Sequence, residues 1–142
     1  MDGNGRWAKK RFMPRTYGHR KGVETTRLAV EVFARAGVSH LTLFAFSSEN
    51  WNRPAEEVSS LMELFMQSLR QYTAELNAKQ IRIRFIGDRS SFSTDLQRQI
   101  EQTETETGCN QAMVLNIAAN YGGQWDIVNA SRKLAQRVLD GD

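Results

Sequence analysis

The sequence has little of what a cross-linked, metal-stapled or membrane-spanning protein needs. It contains one cysteine, Cys109, and two histidines among 142 residues. One cysteine cannot form an internal disulfide, and these side chains are too few for a closed zinc site, so we expect a reducing compartment. No apolar run approaches the roughly 18 residues that cross a bilayer, and Met1 is followed by Asp2 and glycines rather than by a signal peptide. We therefore expect a cytoplasmic protein without a membrane span.

Proline is also scarce, with two residues, and the sequence has no repeat or biased tract. What it does have is a hydrophobic fraction of 40%, which at this length is enough to bury a core. The formal net charge of +3 is unevenly distributed, because residues 1–27 contain eight Lys and Arg side chains against two acidic ones. The first fifth of the chain is therefore strongly basic and the remainder slightly acidic.

Hydrophobic periodicity predicts alternating helices and strands after a polar, glycine-spaced opening loop. Helices are predicted over 24–36, 55–78, about 94–107 and 125–139, and strands over 41–46, 81–86 and 112–119. This order indicates a single α/β domain over 1–142, with a parallel sheet flanked by helices. We expect strand 41–46 to be covered on both faces, and the loops 47–54, 87–91 and 120–124 to meet at the carboxyl ends of the strands.

The opening residues Asp2 to Arg6 (DGNGR) are a candidate anion site. Two glycines let backbone N–H groups turn toward one point, and the Asp2 carboxylate is suited to a divalent cation on a bound phosphate. A type I′ or II′ turn is the better interpretation of Gly-Asn-Gly by itself. Two further basic side chains, Arg15 and His19, lie four residues apart, and Arg6, Lys9 and Lys10 precede them.

The confinement of these cations to one region favours a small phosphate ligand over nucleic acid, although a solvated basic surface is the plain alternative.

The loop Ser47 to Pro54 (SSENWNRP) is a second candidate, with groups that can hold and cover a polar head. Capping is the alternative: Ser47 or Ser48 for a turn, and Asn52 for the helix that starts near Pro54. Capping does not explain Trp51 or Arg53. The next helix, 55–78, is rich in hydrophobic residues, which are either plain core or a wall for a lipid tail.

Four motifs together resemble the cis-prenyltransferases, in particular the bacterial undecaprenyl diphosphate synthase branch of that family. They are Met1 to Trp7 (MDGNGRW), Arg15 to Gly22 (RTYGHRKG), Ser47 to Pro54 (SSENWNRP) and Asn116 to Gly123 (NIAANYGG). The resemblance extends over essentially the whole chain, in matching order and spacing.

The resemblance implies an enzyme that condenses isopentenyl diphosphate onto farnesyl diphosphate in cis geometry, giving a long polyprenyl diphosphate. It implies Mg2+ as cofactor, a homodimer, and a tunnel lined by the helix from 55, with Ala45 and Met113 at its wall. Asp2 would handle Mg2+ and diphosphate, and Asn50 would help to remove the proton from isopentenyl diphosphate. The implied substrate-binding residues are Gly3, Asn4, Gly5, Arg6, Trp7, Arg15, His19, Ser47, Ser48, Glu49, Trp51 and Arg53, with residues 47–53 as a mobile loop.

Members of this family have a strand before the first motif and a C-terminal third with an RTGGE-like segment. We therefore expect this chain to be a fragment that keeps the allylic diphosphate half of the site. The expected setting is cytoplasmic or peripheral to the membrane, with a lipid product that partitions into the bilayer and no nucleic-acid partner. The alternative function is a non-catalytic module that binds an anionic lipid or nucleic acid.

Overall fold

The computed structural model describes residues 3–141, in which helices alternate with three parallel strands. The elements are α1 (Asn4–Lys9), α2 (Arg15–Arg35), β1 (His40–Ser47), a 3₁₀ helix (Ser48–Asn52), α3 (Ala55–Ala78), β2 (Ile81–Ile86), α4 (Thr94–Thr107), β3 (Met113–Tyr121) and α5 (Gly123–Leu139). The strand order is β1-β3-β2, and both pairs are parallel. The predicted α/β fold with a parallel sheet is therefore confirmed.

The core lies on one face of this sheet. Along β2, Ile81, Ile83 and Phe85 are buried while the intervening arginines are exposed, which confirms the predicted alternation. The buried residues form two clusters with α2, α3 and α4, which include Val30, Leu69, Leu96, Ile100 and Leu115. On β1, Phe44 is 44% exposed, so the prediction that this strand is covered on both faces is wrong for the described chain. Five apolar side chains of α5 are exposed as well: Ile127, Val128, Leu134, Val138 and Leu139.

Side chains of α4 satisfy the backbone donors along the outer edge of β2. The Thr107 Oγ1 accepts from the Ile83 N–H at 3.0 Å, and the Glu104 carboxylate accepts from the Phe85 N–H at 2.8 Å. Arg89 in turn donates to both oxygens of Glu104 at 2.8 Å. Because the Ile83 and Phe85 N–H groups are already paired, they are not available to hydrogen-bond another strand at this edge.

The prediction of an opening loop is wrong, because residues 4–9 and 15–23 are helical. Apolar periodicity is weak here, since α1 buries only Ala8 and the start of α2 buries two glycines, Gly18 and Gly22. A Cβ on Gly18 would lie 2.1 Å from the Asn4 carbonyl oxygen, and one on Gly22 would lie 2.3 Å from the Asn4 side-chain nitrogen. Close packing of α1 on α2 thus outweighs the helix-breaking tendency of glycine, about 1 kcal/mol per residue.

The remaining elements follow the sequence pattern closely. The structure has α3 at Ala55–Ala78 and α4 at Thr94–Thr107, as predicted, and α5 begins two residues earlier than predicted. Among residues 3–141, no helix combines the length and the hydropathy that a membrane crossing requires.

Candidate functional site

The loops that follow the three strands meet, as predicted. The Trp51 Nε1–H donates to the Asn120 Oδ1 at 2.9 Å, and the Asn120 Nδ2–H donates to the Asp88 carbonyl at 2.8 Å. Trp51 also packs edge-on against Phe46, with ring centroids 5.1 Å apart. Trp51 is therefore part of the junction between the loops, and Trp51, Asp88 and Asn120 do not line the cavity described next.

A cavity of about 360 Å³ lies between α2, α3 and the covered face of the sheet. Polar groups surround one end, its mouth: Gly3, Asn4, Gly5, Arg6, Arg15, His19, Asn50, Arg53 and Glu57. The lining beyond the mouth is mainly apolar and includes Val30, Leu43, Leu61, Phe65, Leu69, Leu115 and Ile117. Along α3 the lining runs from Glu57 to Leu76, which is about 28 Å of helix. The arrangement suits a ligand with an anionic head and a long apolar tail.

Glu57 organises the mouth of this cavity. Its carboxylate accepts from Arg15 at 2.9 Å and from Arg53 at 3.0 Å, and its side chain is 12% exposed. Burial alone would raise the pKa of the Glu57 carboxyl, but the hydrogen bonds and charges of the two arginines outweigh it and hold the pKa below its usual value. An ionised Glu57 thus fixes two guanidinium groups that come from different elements.

His19 presents a buried nitrogen to the same mouth. Its Nε2 lies 3.5 Å from a Glu57 oxygen, at the limit of hydrogen-bond distance, and no described residue gives it a well-formed hydrogen bond. Burial lowers the pKa of His19, and the Glu57 charge offsets this only in part. The ring is therefore neutral at pH 7, and its unpaired buried nitrogen is suited to a ligand.

The loop predicted to be mobile forms the 3₁₀ helix. The Ser47 N–H donates to the Asn50 Oδ1 at 3.1 Å, and the Glu49 N–H donates to the Ser47 Oγ at 3.2 Å. This reciprocal cap confirms Ser47 as a capping residue and aims Asn50 at the cavity. Asn52 does not cap α3, because Pro54 occupies the N-cap position.

The described part of the opening motif, residues 3–6, begins a helix and is not a hairpin turn. Gly3 has φ +88° and precedes α1, whereas Gly5 is helical. A Cβ on Gly5 would lie 3.3 Å from the Arg15 Nε, so glycine there lets the arginine approach. Arg6 lines the cavity, but Asp2 lies outside the described residues.

Several predicted site residues do not line the cavity. Trp7 stacks on Tyr17 at 6.3 Å outside it, and the basic side chains of Lys9 and Lys10 do not reach it either. The remaining members of this group are Ser47, Ser48, Glu49 and Trp51. Ala45 lines the cavity, whereas Met113 is 1% exposed and packs in the core with Ile81, so the prediction of Met113 as a wall residue is wrong.

Sequence reasoning missed the role of Glu57 and the purpose of two glycines. The signals were present, because Arg53 and Glu57 are spaced as an i, i+4 helical ion pair, and Gly18 and Gly22 share one face of a helix. Both roles became visible only through contacts to Arg15 and Asn4, which sequence spacing does not give.

At the other end of the cavity, ion pairs join α2 to α3. Arg27 donates to both oxygens of Glu75 at 2.9 and 2.8 Å, and Lys79 donates to Glu75 at 2.7 Å and to Glu31. The hydrogen bonds from Arg27 and Lys79 lower the pKa of Glu75 to about 2. These four side chains, the α2–α3 ion cluster, hold together the two helices that enclose the cavity.

Comparison with known proteins agrees with this geometry. The family model described as "Putative undecaprenyl diphosphate synthase" matches residues 1–141. The chain is 55% identical over 141 residues to the ditrans,polycis-undecaprenyl-diphosphate synthase ((2E,6E)-farnesyl-diphosphate specific) of Pseudomonas aeruginosa. It is 52% identical over 142 residues to the same synthase of Escherichia coli strain K12. These matches cover 99% and 100% of this chain and 56% of each relative, so the chain spans little more than half their length.

Among solved structures, the chain is similar to lavandulyl diphosphate synthase from Lavandula x intermedia in complex with dimethylallyl diphosphate. The TM-score is 0.95 at 36% identity, over 99% of this chain and 61% of that one. It is also similar to a probable undecaprenyl diphosphate synthase from Campylobacter jejuni, with a TM-score of 0.77 at 32% identity over 82% of this chain and 57% of that one.

Proposed function

Because the chain belongs to the undecaprenyl diphosphate synthase family of cis-prenyltransferases, we propose that the protein condenses isopentenyl diphosphate onto farnesyl diphosphate in cis geometry. The product is a long polyprenyl diphosphate that serves as a lipid carrier. The residues of this chain contribute the allylic diphosphate part of that reaction. The relatives named above are synthases, and none of them supports the alternative of a non-catalytic binding module.

One observation carries the proposal: a single cavity leads from a basic mouth to an apolar interior. An allylic diphosphate matches this arrangement, because it has several negative charges at one end and a hydrocarbon tail at the other. The volume of about 360 Å³ lies within the range of about 300–1,000 Å³ that is usual for small-molecule sites. Arg15, Arg53 and the unpaired nitrogen of His19 supply donors for the head group.

The mouth is suited to ionisation of an allylic diphosphate. As the bond to the allylic carbon breaks, negative charge grows on the diphosphate, so donors already aimed at it lower the barrier. Glu57 holds Arg15 and Arg53 in place before the ligand arrives, which reduces the reorganisation needed during the reaction. His19, whose pKa is lowered by burial, would donate a hydrogen bond to the diphosphate in the tautomer that carries the proton on Nε2.

The interior is suited to the allylic carbocation and its tail. Apolar walls such as Phe65 and Leu69 exclude water that would otherwise trap the cation. Asn50 lines the mouth, and its Oδ1 accepts a hydrogen bond from the Ser47 N–H. We propose that Asn50 positions isopentenyl diphosphate and helps to remove its proton. We also propose that α3 lines a tunnel for the growing chain.

We propose Mg2+ as the cofactor, held by Asp2 and by the diphosphate oxygens. Mg2+ is commonly bound by one or two carboxylates together with substrate phosphates, and Asp2 directly precedes Gly3, a residue of the mouth, in the sequence. Among residues 3–141, no three His, Cys, Asp or Glu side chains form a metal cluster, and the Glu57 carboxylate is occupied by arginines. When bound, Mg2+ neutralises charge on the leaving diphosphate.

We further propose that residues 1–142 belong to one catalytic domain, that the enzyme is a cytoplasmic homodimer, and that it works at the periphery of the membrane because its product is a lipid.

The direct test is to incubate the full-length protein that contains residues 1–142 with farnesyl diphosphate, labelled isopentenyl diphosphate and Mg2+, and to measure butanol-extractable label. Long lipid products are expected, and the absence of extractable label would exclude prenyl transfer. Vesicle or DNA binding that survives Asp2→Ala, without specific farnesyl diphosphate binding, would favour the alternative module.

A second measurement tests the mouth itself. We expect Arg53→Ala to weaken farnesyl diphosphate binding about tenfold or more in calorimetry, since a charge-assisted hydrogen bond is worth about 1.5–3 kcal/mol. Arg132→Ala, at an exposed position on α5, is the matched control and should bind as tightly as the unaltered protein. If the Arg53→Ala and Arg132→Ala variants bound farnesyl diphosphate equally tightly, Arg53 would not be part of the binding site.

A further inference from the structure

Phe12 stands out among the large hydrophobic residues of the described chain, because 99% of its surface is exposed. It lies between α1 and α2 with φ +57°, in the left-handed region of backbone conformation. Side chains with a Cβ are disfavoured there, and bulky ones especially.

The backbone at this point is well defined. The Met13 N–H donates to the Ala8 carbonyl at 3.0 Å, and the Phe12 N–H donates to the Lys9 carbonyl at 3.1 Å. This pair of bonds is the Schellman motif that ends many helices, in which glycine usually occupies the left-handed position. Phe12 therefore neither relieves the backbone nor adds to the core, so the fold gives no reason for an aromatic side chain here.

The surroundings of Phe12 combine aromatic and basic side chains. Trp7 is 38% exposed and Met13 is 44% exposed, and the Arg11 guanidinium lies 4.3 Å from the centre of the Trp7 ring. Residues 3–23 contain no Asp or Glu. We call this surface the Phe12 tip and define it by Trp7, Lys9, Lys10, Arg11, Phe12, Met13 and Tyr17.

We propose that the Phe12 tip docks the protein on an anionic phospholipid surface, with the Phe12 ring inserted among the acyl chains. Aromatic side chains are favoured at the membrane interface, and lysine and arginine are attracted by anionic head groups. The Phe12 ring is 99% exposed, with the partly exposed Trp7 and Met13 beside it, which suits insertion into a bilayer. A nucleic acid is bound more effectively by a basic groove with stacking platforms along it.

The position of the tip agrees with this role. Only Pro14 separates Met13 from Arg15, whose guanidinium lies at the mouth of the cavity. Docking by the tip therefore brings the mouth close to the membrane, from which a substrate with a diphosphate head and a prenyl tail would arrive. The proposal names the surface that would hold the protein at the periphery of the membrane. Its biological role depends on the proposed prenyl transfer, but the vesicle binding itself does not.

The test is sedimentation with phosphatidylcholine vesicles, with and without phosphatidylglycerol. The unaltered protein should bind the phosphatidylglycerol vesicles preferentially, and binding should weaken as salt is added. Phe12→Gly should lower the partition coefficient about tenfold, because the inserted ring is lost. It should also fold at least as stably, because glycine suits φ +57°, so thermal unfolding separates lost insertion from lost structure.

Matched controls lie on α5, where Leu139 is 80% exposed and Lys133 is exposed. Leu139→Ser should leave vesicle binding unchanged, and Lys133→Gln should reduce it less than Lys10→Gln does. The proposal is overturned if Phe12→Gly binds vesicles as tightly as the unaltered protein, or if phosphatidylglycerol gives no gain. It is also overturned if Lys10→Gln weakens duplex DNA and vesicle binding equally while Phe12→Gly changes neither. Farnesyl diphosphate binding is measured without vesicles, so these failures leave the prenyl-transfer proposal standing.

Discussion

Gly18 and Gly22 control how closely α1 approaches α2, and hence where Gly3 to Arg6 lie at the mouth of the cavity. Each glycine faces Asn4, one against its backbone carbonyl and the other against its side chain. In most helices a change from glycine to alanine is stabilising, by about 1 kcal/mol. Here the added methyl group has no space.

We predict that Gly18→Ala lowers the free energy of unfolding by about 1–3 kcal/mol, because a Cβ 2.1 Å from a carbonyl oxygen forces α1 away from α2. Farnesyl diphosphate affinity should fall with it, since the mouth is displaced. Urea unfolding and calorimetry measure the two effects. Gly123→Ala is the control, because nothing lies within 4 Å of its added Cβ. If the Gly18 variant is as stable as the Gly123 variant, the close packing of α1 is contradicted.

At the scale of the element, α2 and α3 are joined at one end by Glu57 and at the other by the α2–α3 ion cluster. The two helices contribute most of the cavity wall between these points. Their relative position therefore depends on charged pairs as well as on apolar contacts.

The cluster predicts how stability depends on pH. The pKa of Glu75 is about 2 in the folded protein, below its ordinary value of 4.5, so the folded state favours the ionised carboxylate. The stabilisation is fully present above about pH 4.5 and is lost as the pH falls towards 2. We expect Glu75→Gln to flatten this part of the profile and to cost about 1 kcal/mol at neutral pH. Glu101→Gln, at an exposed position on α4, should keep the slope; an unchanged slope in the Glu75 variant would contradict the cluster.

Elements with strong apolar periodicity could be predicted from the sequence, and those formed by close packing could not. The repeated hydrophobic spacing of α3 and the alternation along β2 gave correct bounds. The helix α1 has a single buried residue, Ala8, contains Gly5 and is preceded by Gly3, so nothing in its local pattern indicates a helix. Its structure depends on contacts with Gly18 and Gly22, which lie outside the element.

The same distinction holds for the site. Arg15, His19 and Arg53 could be selected as candidates because basic side chains near glycines and polar loops suit a phosphate. Trp51 was selected by the same reasoning but hydrogen-bonds Asn120 across the molecule. Glu57 could not be selected in this way, because Arg15 and Arg53 meet its carboxylate only when α2, the 3₁₀ helix and α3 come together.

At the scale of the whole molecule, the basic first fifth of the chain and the hydrophobic α3 meet in one cavity. The uneven charge seen in the sequence thus has a structural counterpart, with cations at the mouth and apolar side chains beyond. The central claim is that this cavity holds a diphosphate at its mouth and a prenyl tail in its interior.

The most direct test compares the affinity of two ligands with the same head and different tails, farnesyl diphosphate and dimethylallyl diphosphate, by calorimetry. Ser68 lines the interior about 16 Å along α3 from Glu57, so Ser68→Trp fills the space for a long tail and leaves the mouth intact. Ser59→Trp, at an exposed position of the same helix, is the control. We predict that Ser68→Trp weakens farnesyl diphosphate binding more than tenfold and dimethylallyl diphosphate binding little, whereas Ser59→Trp changes neither. Equal affinity of the Ser68 and Ser59 variants for farnesyl diphosphate would contradict the account.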